Sequence, residues 1–377
     1  MRVLHVMEAT IGGTRRHLGD VVRGELAAGL EVHAAVSSLR QPDFEHDISA
    51  LEACGARILR LPMVRALSPA RDLAHLRALA RHLERIQPDV VHTHSSKGGA
   101  LGRAASIATG IGVRVHTPHT FAFLFDAMFG ALKRRLFREI EAHLGAHTQA
   151  VIAVSASEAA TIARSGVVDA ARVRVVENGI DPAPFSDAVP VARTELGVPS
   201  GVPLAAVVGL LNVAKGQDLA LRALALPGLE RLHLLVAGHG EMRGELEALA
   251  TELGVAARVR FLGYRTDVAS LLAASDFVLV PSRWEGMPYI VLEAMASARP
   301  VVATPVDGAR DLVADGETGF LAAEISAGAI AEACGKLLAS SAATRTRLGT
   351  SARERMIARH SAERMVAELA SVYRSVA

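Results

Sequence analysis

Strand-like runs rich in β-branched residues alternate with longer helical patterns along the whole chain, and this alternation limits the possible folds. It is typical of parallel sheets covered by helices on both faces. In the first half, strands are expected at Val3–Met7, Glu31–Val36, Val90–His92, Val113–Thr117, Val151–Val154 and Val173–Val176. The rhythm then begins again, with strands expected at Leu204–Val208, His233–Ala237, Val259–Leu262, Phe277–Val280 and Val301–Ala303. The sequence therefore predicts two doubly wound α/β domains.

The boundary between these domains is expected where glycine and proline accumulate. Asn178–Pro184 and Val189–Pro203 lack long periodic runs, as a linker does. A chain of 377 residues is also too long for one ordinary core. We therefore expect an N-terminal domain over residues 1–188, a C-terminal domain over 189–355 and a terminal helical segment over 356–377.

Composition narrows the class of protein. Lysine and arginine (41) nearly balance aspartate and glutamate (39), so nothing suggests nucleic acid as a partner. The longest apolar stretch, Pro203–Ala214, is too short for a bilayer, and the start meets Glu8 too soon for a signal peptide. Cys54 and Cys334 lack a partner motif, so buried free thiols are expected. Together these features predict a cytoplasmic chain without membrane spans.

Two glutamates flank a turn in the segment Pro281–Glu293. Glu285 falls in a loop after an expected strand, and Glu293 falls in a helix whose first residue is expected to be Pro288. A helix N-terminus binds anions through its outward amides and its dipole. The segment could therefore hold a phosphate and hydrogen-bond hydroxyl groups on either side of it, although the two acids could also be a solvated pair.

Two further loops in the second half could meet a diphosphate. Gly209–Gly216 precedes a helix expected near Gln217, and Lys215 could neutralise a phosphate at the start of that helix. Gly238–Gly240 forms a turn that permits close backbone approach. Taken alone, the first is more often a solvated helix terminus and the second could be an ordinary loop.

The motifs of both halves, read in order, resemble those of the family 4 glycosyltransferases, and the resemblance covers nearly the full length of the chain. The second half contributes Gly209, Lys215-Gly216, Gly238-x-Gly240, Phe261–Tyr264, Pro281–Pro288, Glu293–Met295 and Pro300–Thr304. The first half contributes Gly12-Gly13, Val91–His94, Lys97–Gly99, Thr117–His119 and Asn178–Asp181. The resemblance implies a GT-B fold, in which two facing Rossmann-like domains enclose an interdomain cleft and the terminal helix, here near Ala362–Ser375, crosses back to the first domain.

The resemblance also implies roles for single residues. Glu293 matches the glutamate that holds the ribose hydroxyls, and Glu285 matches the one that reaches the donor sugar. Lys215 would meet the diphosphate. The catalytic residues implied are His119, which would face the donor sugar, Lys215 and Glu285. The donor-binding residues implied are Gly13, Gly209, Lys215, Gly238, Glu285, Gly286, Met287, Tyr289 and Glu293, with the backbone amides of Met287, Tyr289 and Gly13 on the diphosphate.

Retention of anomeric configuration is implied by the family. No Asp-x-Asp motif occurs, so a metal-independent hexosyltransferase without a cofactor is expected, with a UDP- or GDP-linked sugar as donor substrate. One departure concerns Leu210, because relatives usually carry an arginine there that joins the lysine on the diphosphate. Arginines that could compensate are Arg15, Arg16, Arg265 and Arg283.

The segment Phe121–Arg138 bears on the acceptor. Five of the ten phenylalanines lie in it, interleaved with Lys133, Arg134, Arg135 and Arg138. Such a basic amphipathic segment can lie in a membrane interface, and similar first-domain segments in relatives meet lipid-linked acceptors. The alternative is a buried helix with a solvated basic face. We therefore expect peripheral contact with the inner face of the cell membrane through Phe121–Arg138, and the buried helix stays open as the alternative.

These features together predict a retaining glycosyltransferase that moves a sugar from a nucleotide diphosphate to a glycan or lipid-linked acceptor, as in polysaccharide or lipid glycan assembly. Two alternatives stay open. Leu210 allows a non-catalytic nucleotide-sugar-binding homologue or regulator, and the same fold also serves synthases that act on small soluble sugar acceptors.

Overall fold

The computed structural model describes residues 1–41 and 43–377, which form two compact units. The first unit comprises Met1–Asn178 with Ala362–Ala377, and the second comprises Gly179–Ser361. The sequence had placed these boundaries after residues 188 and 355. The structure moves both because Ile180 donates its backbone N–H to His360 within the second unit (2.9 Å), which joins the two ends of that unit.

The first unit is a seven-stranded parallel sheet with helices around it. Its strands are β1 (Arg2–Met7), β2 (Glu31–Val36), β3 (Arg57–Arg60), β4 (Val90–His94), β5 (Val113–Thr117), β6 (Ala150–Ala153) and β7 (Val173–Val175). Its helices are α1 (Gly12–Ala27), α2 (Phe44–Ala53), α3 (Pro69–Ile86), α4 (Ser96–Thr109), α5 (Ala131–Ala146), α6 (Ala156–Ser165) and the terminal α15 (Ala362–Val376). The strand order β3-β2-β1-β4-β5-β6-β7 reverses direction between β1 and β4.

The terminal helix is part of the core of the first unit. Met365, Leu369 and Tyr373 are buried in one cluster with strand residues such as Val3 and Val90. Their spacing places them on one face of α15, which therefore packs on the sheet. The expected helix over Ala362–Ser375 differs from the observed one by a single residue.

The second unit is a six-stranded parallel sheet of the order β10-β9-β8-β11-β12-β13. Its strands are β8 (Leu204–Val208), β9 (His233–Ala237), β10 (Val259–Gly263), β11 (Phe277–Val280), β12 (Val301–Ala303) and β13 (Gly319–Leu321). Its helices are α7 (Ala183–Ser186), α8 (Gln217–Leu224), α9 (Arg243–Glu252), α10 (Val268–Ala274), α11 (Tyr289–Ala296), α12 (Ala309–Leu312), α13 (Ala327–Ala339) and α14 (Ala342–Arg359). The order reverses between β8 and β11, so this unit has its own switch point.

The expected strands were confirmed, several of them to the residue, but two edge strands were missed. β3 begins and ends on exposed arginines, and β13 has three residues, so neither shows the buried run that marks the central strands. The expectation of two buried thiols was wrong for Cys54, which is exposed on the surface. Burial of Cys334 raises the pKa of its thiol to about 12. Among the residues that the structure describes, none of the helices combines the length and the apolar character that a membrane span needs.

Candidate functional site

Two loops of the second unit lie at its switch point, where ligands bind in open α/β sheets. One follows β8 and carries Lys215, and the other follows β11 and carries Glu285. Because β8 and β11 are hydrogen-bonded neighbours, both loops leave the same edge of the sheet side by side. The topology therefore brings together two residues that stand far apart in the sequence.

The turn that presents Lys215 is fixed at both ends. The side chain of Asn212 accepts a hydrogen bond from the Lys215 backbone N–H (3.2 Å) and caps a short 3-10 turn. Gly216 follows with φ of +65°, and a Cβ there would lie 2.0 Å from the carbonyl oxygen of Pro281. The close approach of these two loops therefore requires glycine at this position.

Glu285 accepts two hydrogen bonds on one carboxylate oxygen. Lys215 donates from Nζ at 2.6 Å, and Ser282 donates from Oγ at 2.7 Å. The Lys215 side chain is 28% exposed and that of Glu285 is 12% exposed. The ion pair is thus partly open to solvent, so its ammonium group can be reached by a ligand anion.

Gly209 and Gly238 let two strand ends meet. Gly238 has φ of +151°, and a Cβ there would lie 1.8 Å from the carbonyl oxygen of Gly209. Gly209 donates its backbone N–H to Ala237 at 3.0 Å. Gly238 therefore has no room for a side chain, and the two strand ends form a compact floor beside the Lys215 turn.

The helix α11 starts beside this cluster. Pro288 is its N-cap residue and not its first helical residue as expected, because its ψ of 116° lies outside the helical range. Met287 and Tyr289 are buried on either side of it, whereas Glu293, in the second turn, is partly exposed. The short loop between Gly286 and α11 packs against Gly308, where a Cβ would lie 2.3 Å from the Gly286 carbonyl oxygen.

The four arginines considered as substitutes for the family arginine all have carboxylate partners in the structure. Arg283 donates two hydrogen bonds to Asp218 (2.7 and 2.6 Å) and one to the Val213 carbonyl (3.0 Å). Burial raises the pKa of Asp218, but the hydrogen bonds and charge of Arg283, together with backbone N–H groups at the start of α8, outweigh burial and lower the pKa. Arg283 therefore anchors the Lys215 turn.

The other three arginines also pair with carboxylates. Arg265 pairs with Asp267, Arg15 with Asp43 and Asp47, and Arg16 with Asp20. Leu210, which stands where the resemblance implies an arginine, is partly exposed, and its carbonyl accepts a hydrogen bond from Gln217 at 2.9 Å. Compensation by any of the four arginines stays a prediction.

In the first unit, His119 occupies a strained turn directly after β5. His119 and Thr120 have φ of +50° and +76°, which costs a residue other than glycine roughly 1–3 kcal/mol. Glu158 holds the turn, because its carboxylate accepts the Thr120 N–H at 2.7 Å. Gly13, the other first-unit residue implied by the family, is exposed in the first turn of α1. The role of His119 stays a prediction, and the sequence gave no sign of this backbone strain.

Buried histidines surround His119, and sequence reasoning assigned none of them to a site. The ring stacks on His94 with centroids 5.6 Å apart and meets His17 edge-on at 4.7 Å. His5, His92 and His94 also offer ring nitrogens within 4.8 Å of one another, a spacing that metal sites share. Both nitrogens of each of these three rings are already hydrogen-bonded to protein groups, so the geometry fits a hydrogen-bonded chain. The alternation of histidines on β4 was the available signal.

The Phe121–Arg138 segment divides into a buried and an exposed part. Phe121 and Phe123 belong to the core of the first unit. On α5, by contrast, Leu132 is 85% exposed and Leu136 is 48% exposed. The segment therefore begins with core residues and continues with an exposed apolar and basic helix face, and membrane contact through that face stays a prediction.

A cavity of about 410 Å³ adjoins this helix. Its walls include Leu67, Phe123, Phe129 and Phe137, and Lys133 lies at its edge with Nζ 4.6 Å from the centre of the Phe129 ring. Its size and mainly apolar lining are those of a small-molecule site.

The fold and the charged cluster define a two-unit Rossmann-like protein with the geometry of a nucleotide site. Comparison with known families agrees: residues 190–355 match the profile of glycosyl transferases group 1, and residues 12–179 match that of the glycosyl transferase 4-like domain. The chain belongs to the group 1 glycosyltransferases, known as family 4, and the prediction of that family is confirmed.

Individual relatives are similar over much of their length. The chain is 30% identical to the proposed glycosyltransferase EpsD of Bacillus subtilis over 83% of each chain. It is 28% identical to the UDP-Gal:alpha-D-GlcNAc-diphosphoundecaprenol alpha-1,3-galactosyltransferase of Escherichia coli, over 69% of this chain and 68% of that one. Anabaena Alr3699/HepE, solved with UDP and glucose, superposes with a TM-score of 0.80 at 21% identity over the whole of both chains. The last similarity supports the GT-B fold.

Proposed function

We propose that this glycosyltransferase is a metal-independent retaining enzyme that uses a UDP- or GDP-linked hexose. The observation that carries the proposal is the cluster of Lys215, Glu285 and Ser282 at the switch point, beside the N-terminus of α11. A diphosphate there would meet one ammonium group and the positive end of a helix dipole. Glu293, partly exposed on that helix, would accept hydrogen bonds from two ribose hydroxyls.

The Lys215–Glu285 pair has a second consequence for donor binding. A diphosphate that takes the ammonium group leaves the Glu285 carboxylate able to accept hydrogen bonds from hydroxyls of the transferred sugar. Met287 and Tyr289 would contribute their backbone to the diphosphate site, and Gly209, Gly238 and Gly286 would allow its close approach. For the first unit we propose, from the family resemblance, that His119 and the Gly13 turn contact substrate.

The chemistry requires positive charge at the leaving group. In a front-face displacement the acceptor oxygen bonds to the anomeric carbon as the bond to the diphosphate breaks, and the acceptor proton passes to a departing phosphate oxygen. Lys215 and the α11 dipole would stabilise the charge that develops there, which is the role a divalent cation plays in other transferases. We therefore place no cofactor and no metal in the reaction.

For the acceptor we propose a lipid-linked glycan. The lining of the cavity beside α5 is mainly apolar, and its basic residues Lys133 and Arg65 suit an anionic diphosphate group. Leu132 and Leu136 would enter the membrane interface while Lys133 and Arg135 meet anionic lipid headgroups. The E. coli relative, whose acceptor is a diphosphoundecaprenol-linked sugar, supports this choice.

An assay of nucleotide release tests the reaction. The intact protein is incubated with UDP- and GDP-hexoses and polyprenyl-diphosphate-linked sugars, with and without EDTA, and the anomeric configuration of the product is read by NMR. We expect acceptor-dependent release of one nucleoside diphosphate, a retained configuration and no loss of rate with EDTA. An inverted product or a rate abolished by EDTA would contradict the mechanism.

Leu210 supports a second candidate, a non-catalytic homologue that binds nucleotide sugars. If nucleoside diphosphates bind but none is released from any donor with any acceptor, including small soluble sugars, this candidate replaces the first. If release occurs only with small soluble sugars, the acceptor proposal is wrong while the transferase proposal stands.

Vesicle binding tests the membrane contact. Replacing Lys133, Arg134 and Arg135 by glutamate is expected to abolish co-sedimentation with anionic vesicles. A control variant changes the exposed residues Arg231, Lys336 and Arg347 of the second unit to glutamate, with the same change in net charge. Equal loss in both variants would show that overall charge, and not the α5 face, binds the membrane.

A further inference from the structure

A continuous line of hydrogen bonds connects His119 with a buried glutamate of α1. His119 Nε2 lies 3.3 Å from His94 Nδ1, His94 Nε2 lies 3.1 Å from His5 Nδ1, and His5 Nε2 lies 2.8 Å from a carboxylate oxygen of Glu25. His5, Glu25 and His94 are fully buried, and His119 is partly exposed. The line therefore runs from the interior of the sheet to the strained turn at its edge.

The glutamate gives this line a direction. An ionised carboxylate only accepts hydrogen bonds, so His5 must carry its proton on Nε2 and accept on Nδ1. His94 must then donate from Nε2, and His119 must do the same. We propose that Glu25, His5 and His94 form a histidine relay that fixes His119 in the Nε2–H tautomer and presents its Nδ1 lone pair as a hydrogen-bond acceptor to a substrate hydroxyl.

A second branch agrees with this assignment. Tyr373 donates its hydroxyl proton to the other carboxylate oxygen of Glu25 at 2.9 Å. The Tyr373 oxygen can then accept from His92 Nδ1 at 2.6 Å, which leaves His92 Nε2 to accept from Thr117 Oγ1 at 2.7 Å. Every bond of both branches is thus satisfied by neutral histidines and one ionised glutamate.

Burial keeps the rings of His94 and His119 neutral. It lowers the pKa of His94 and of His119 well below 6.5, and the neighbouring imidazoles lower it further. Burial and Glu25 raise the pKa of Tyr373 well above 10, so its hydroxyl keeps its proton. The titratable groups around the relay are His17 on α1, His92 on β4, His116 on β5, Glu158 on α6 and Tyr373 on α15.

The substrate part of this inference rests on the proposed function, but the tautomers can be measured without any substrate. The experiment uses the intact chain labelled with 15N-histidine, at neutral pH, with signals assigned through His94→Gln and His119→Gln. Imidazole 15N shifts distinguish Nε2–H from Nδ1–H rings. In the wild type we expect Nε2–H for His5, His94 and His119.

Glu25→Gln tests the direction, because an amide can donate to His5 as well as accept from it. We expect Nδ1–H to appear at His94 and at His119, neither of which the glutamate touches. Glu141→Gln, a buried glutamate that pairs with Arg103 at 2.7 Å, is the matched control and should keep the wild-type tautomers. If Glu25→Gln does not fold, His5→Gln severs the relay and should give the same change at His119.

Three outcomes overturn the proposal. The first is a wild-type His119 in the Nδ1–H form, and the second is an unchanged His119 tautomer in a folded Glu25→Gln or His5→Gln variant. The third is a stoichiometric metal in the purified protein that shifts the signals of these rings. If the tautomers follow the proposal but no nucleotide is ever released, the relay stands and the proposed function fails.

Discussion

The candidate site of the second unit and the histidine relay of the first unit differ in their chemistry. In the second unit, Lys215 and Glu285 are charged, partly exposed and carried by loops. In the first, His5 and His94 of the sheet and Glu25 of α1 are fully buried, and burial holds the rings of His94 and His119 neutral. Charge on loops suits a diphosphate that must enter and leave, whereas a rigid neutral chain suits a fixed hydrogen bond to a sugar. The difference shows how one fold repeated twice can serve two tasks.

The largest expected effect concerns the charged cluster. Lys215→Ala removes the side-chain cation from the leaving group and should lower turnover by about 10²–10³-fold, as loss of a preorganised stabiliser does. Lys336→Ala removes an exposed lysine of α13 and should leave turnover unchanged. Steady-state rates of both variants measure this, and a Lys215→Ala enzyme within threefold of wild type would break the assignment of Lys215.

The stability of the second unit should depend on the close backbone contact between Gly209 and Gly238, at the ends of β8 and β9. Gly238→Ala places a Cβ against the Gly209 carbonyl and should lower the free energy of unfolding by at least about 2 kcal/mol. Gly244→Ala, in α9 with open space around it, should raise it by up to about 1 kcal/mol. Urea denaturation compares the two, and equal stabilities would show that the floor of the site tolerates side chains.

Acid should weaken the first unit more than the second. Burial lowers the pKa of several first-unit histidines, to about 4 for His17 and His82 and well below 6.5 for His92, His94, His116 and His119. Above about pH 6.5 neither state binds these protons, but below it the unfolded chain does and the folded one does not. Each such histidine therefore removes up to about 1.4 kcal/mol of stability per pH unit as the pH falls.

Hydrogen exchange resolved by unit, at pH 7 and pH 5 and corrected for intrinsic rates, measures this contrast. Loss of protection should begin in the first unit. Equal loss in both units, or greater stability at pH 5, would contradict the account of the buried histidines.

The smallest expected effects are changes in donor affinity when arginines of the second unit are replaced. Arg283→Ala breaks the pairing with Asp218 and the bond to Val213, so the Lys215 turn loosens and donor affinity should fall by about tenfold. Arg265→Ala removes a surface pair with Asp267, which is worth about 0–1 kcal/mol, and should leave donor affinity unchanged. Calorimetric titration of both variants with the nucleotide measures the two affinities. A greater loss for Arg265→Ala would point to that residue as the substitute for the family arginine.

The sequence predicted the charged site better than the neutral one, for a physical reason. Central parallel strands are buried on both faces, so they are recognisable in the sequence as continuous apolar runs such as Phe277–Val280. The loops that follow these strands, where ligands bind in such sheets, can then be located from the sequence. Lys215 and Glu285 follow from that topology. The edge strands β3 and β13 and the N-cap position of Pro288 depend on packing, which no local pattern shows.

The histidine relay could not be predicted because it depends on register. His5 pairs with His92 and Met7 with His94 across β1 and β4, and Glu25 and Tyr373 reach the same rings from two helices far apart in the sequence. A one-residue shift of either strand would turn its side chains to the other face. Burial of histidines on strands is visible in the sequence, but their mutual contacts are not.

Calorimetric titration of UDP, GDP and the corresponding nucleosides tests the central claim, the nucleotide site of the second unit, most directly. For the nucleoside diphosphate that binds the wild type, Lys215→Ala should lower affinity about 10–100-fold while affinity for the nucleoside is kept, and Glu293→Gln should weaken both ligands. Wild-type affinity for the nucleoside diphosphate in both variants would show that the donor does not bind at these loops.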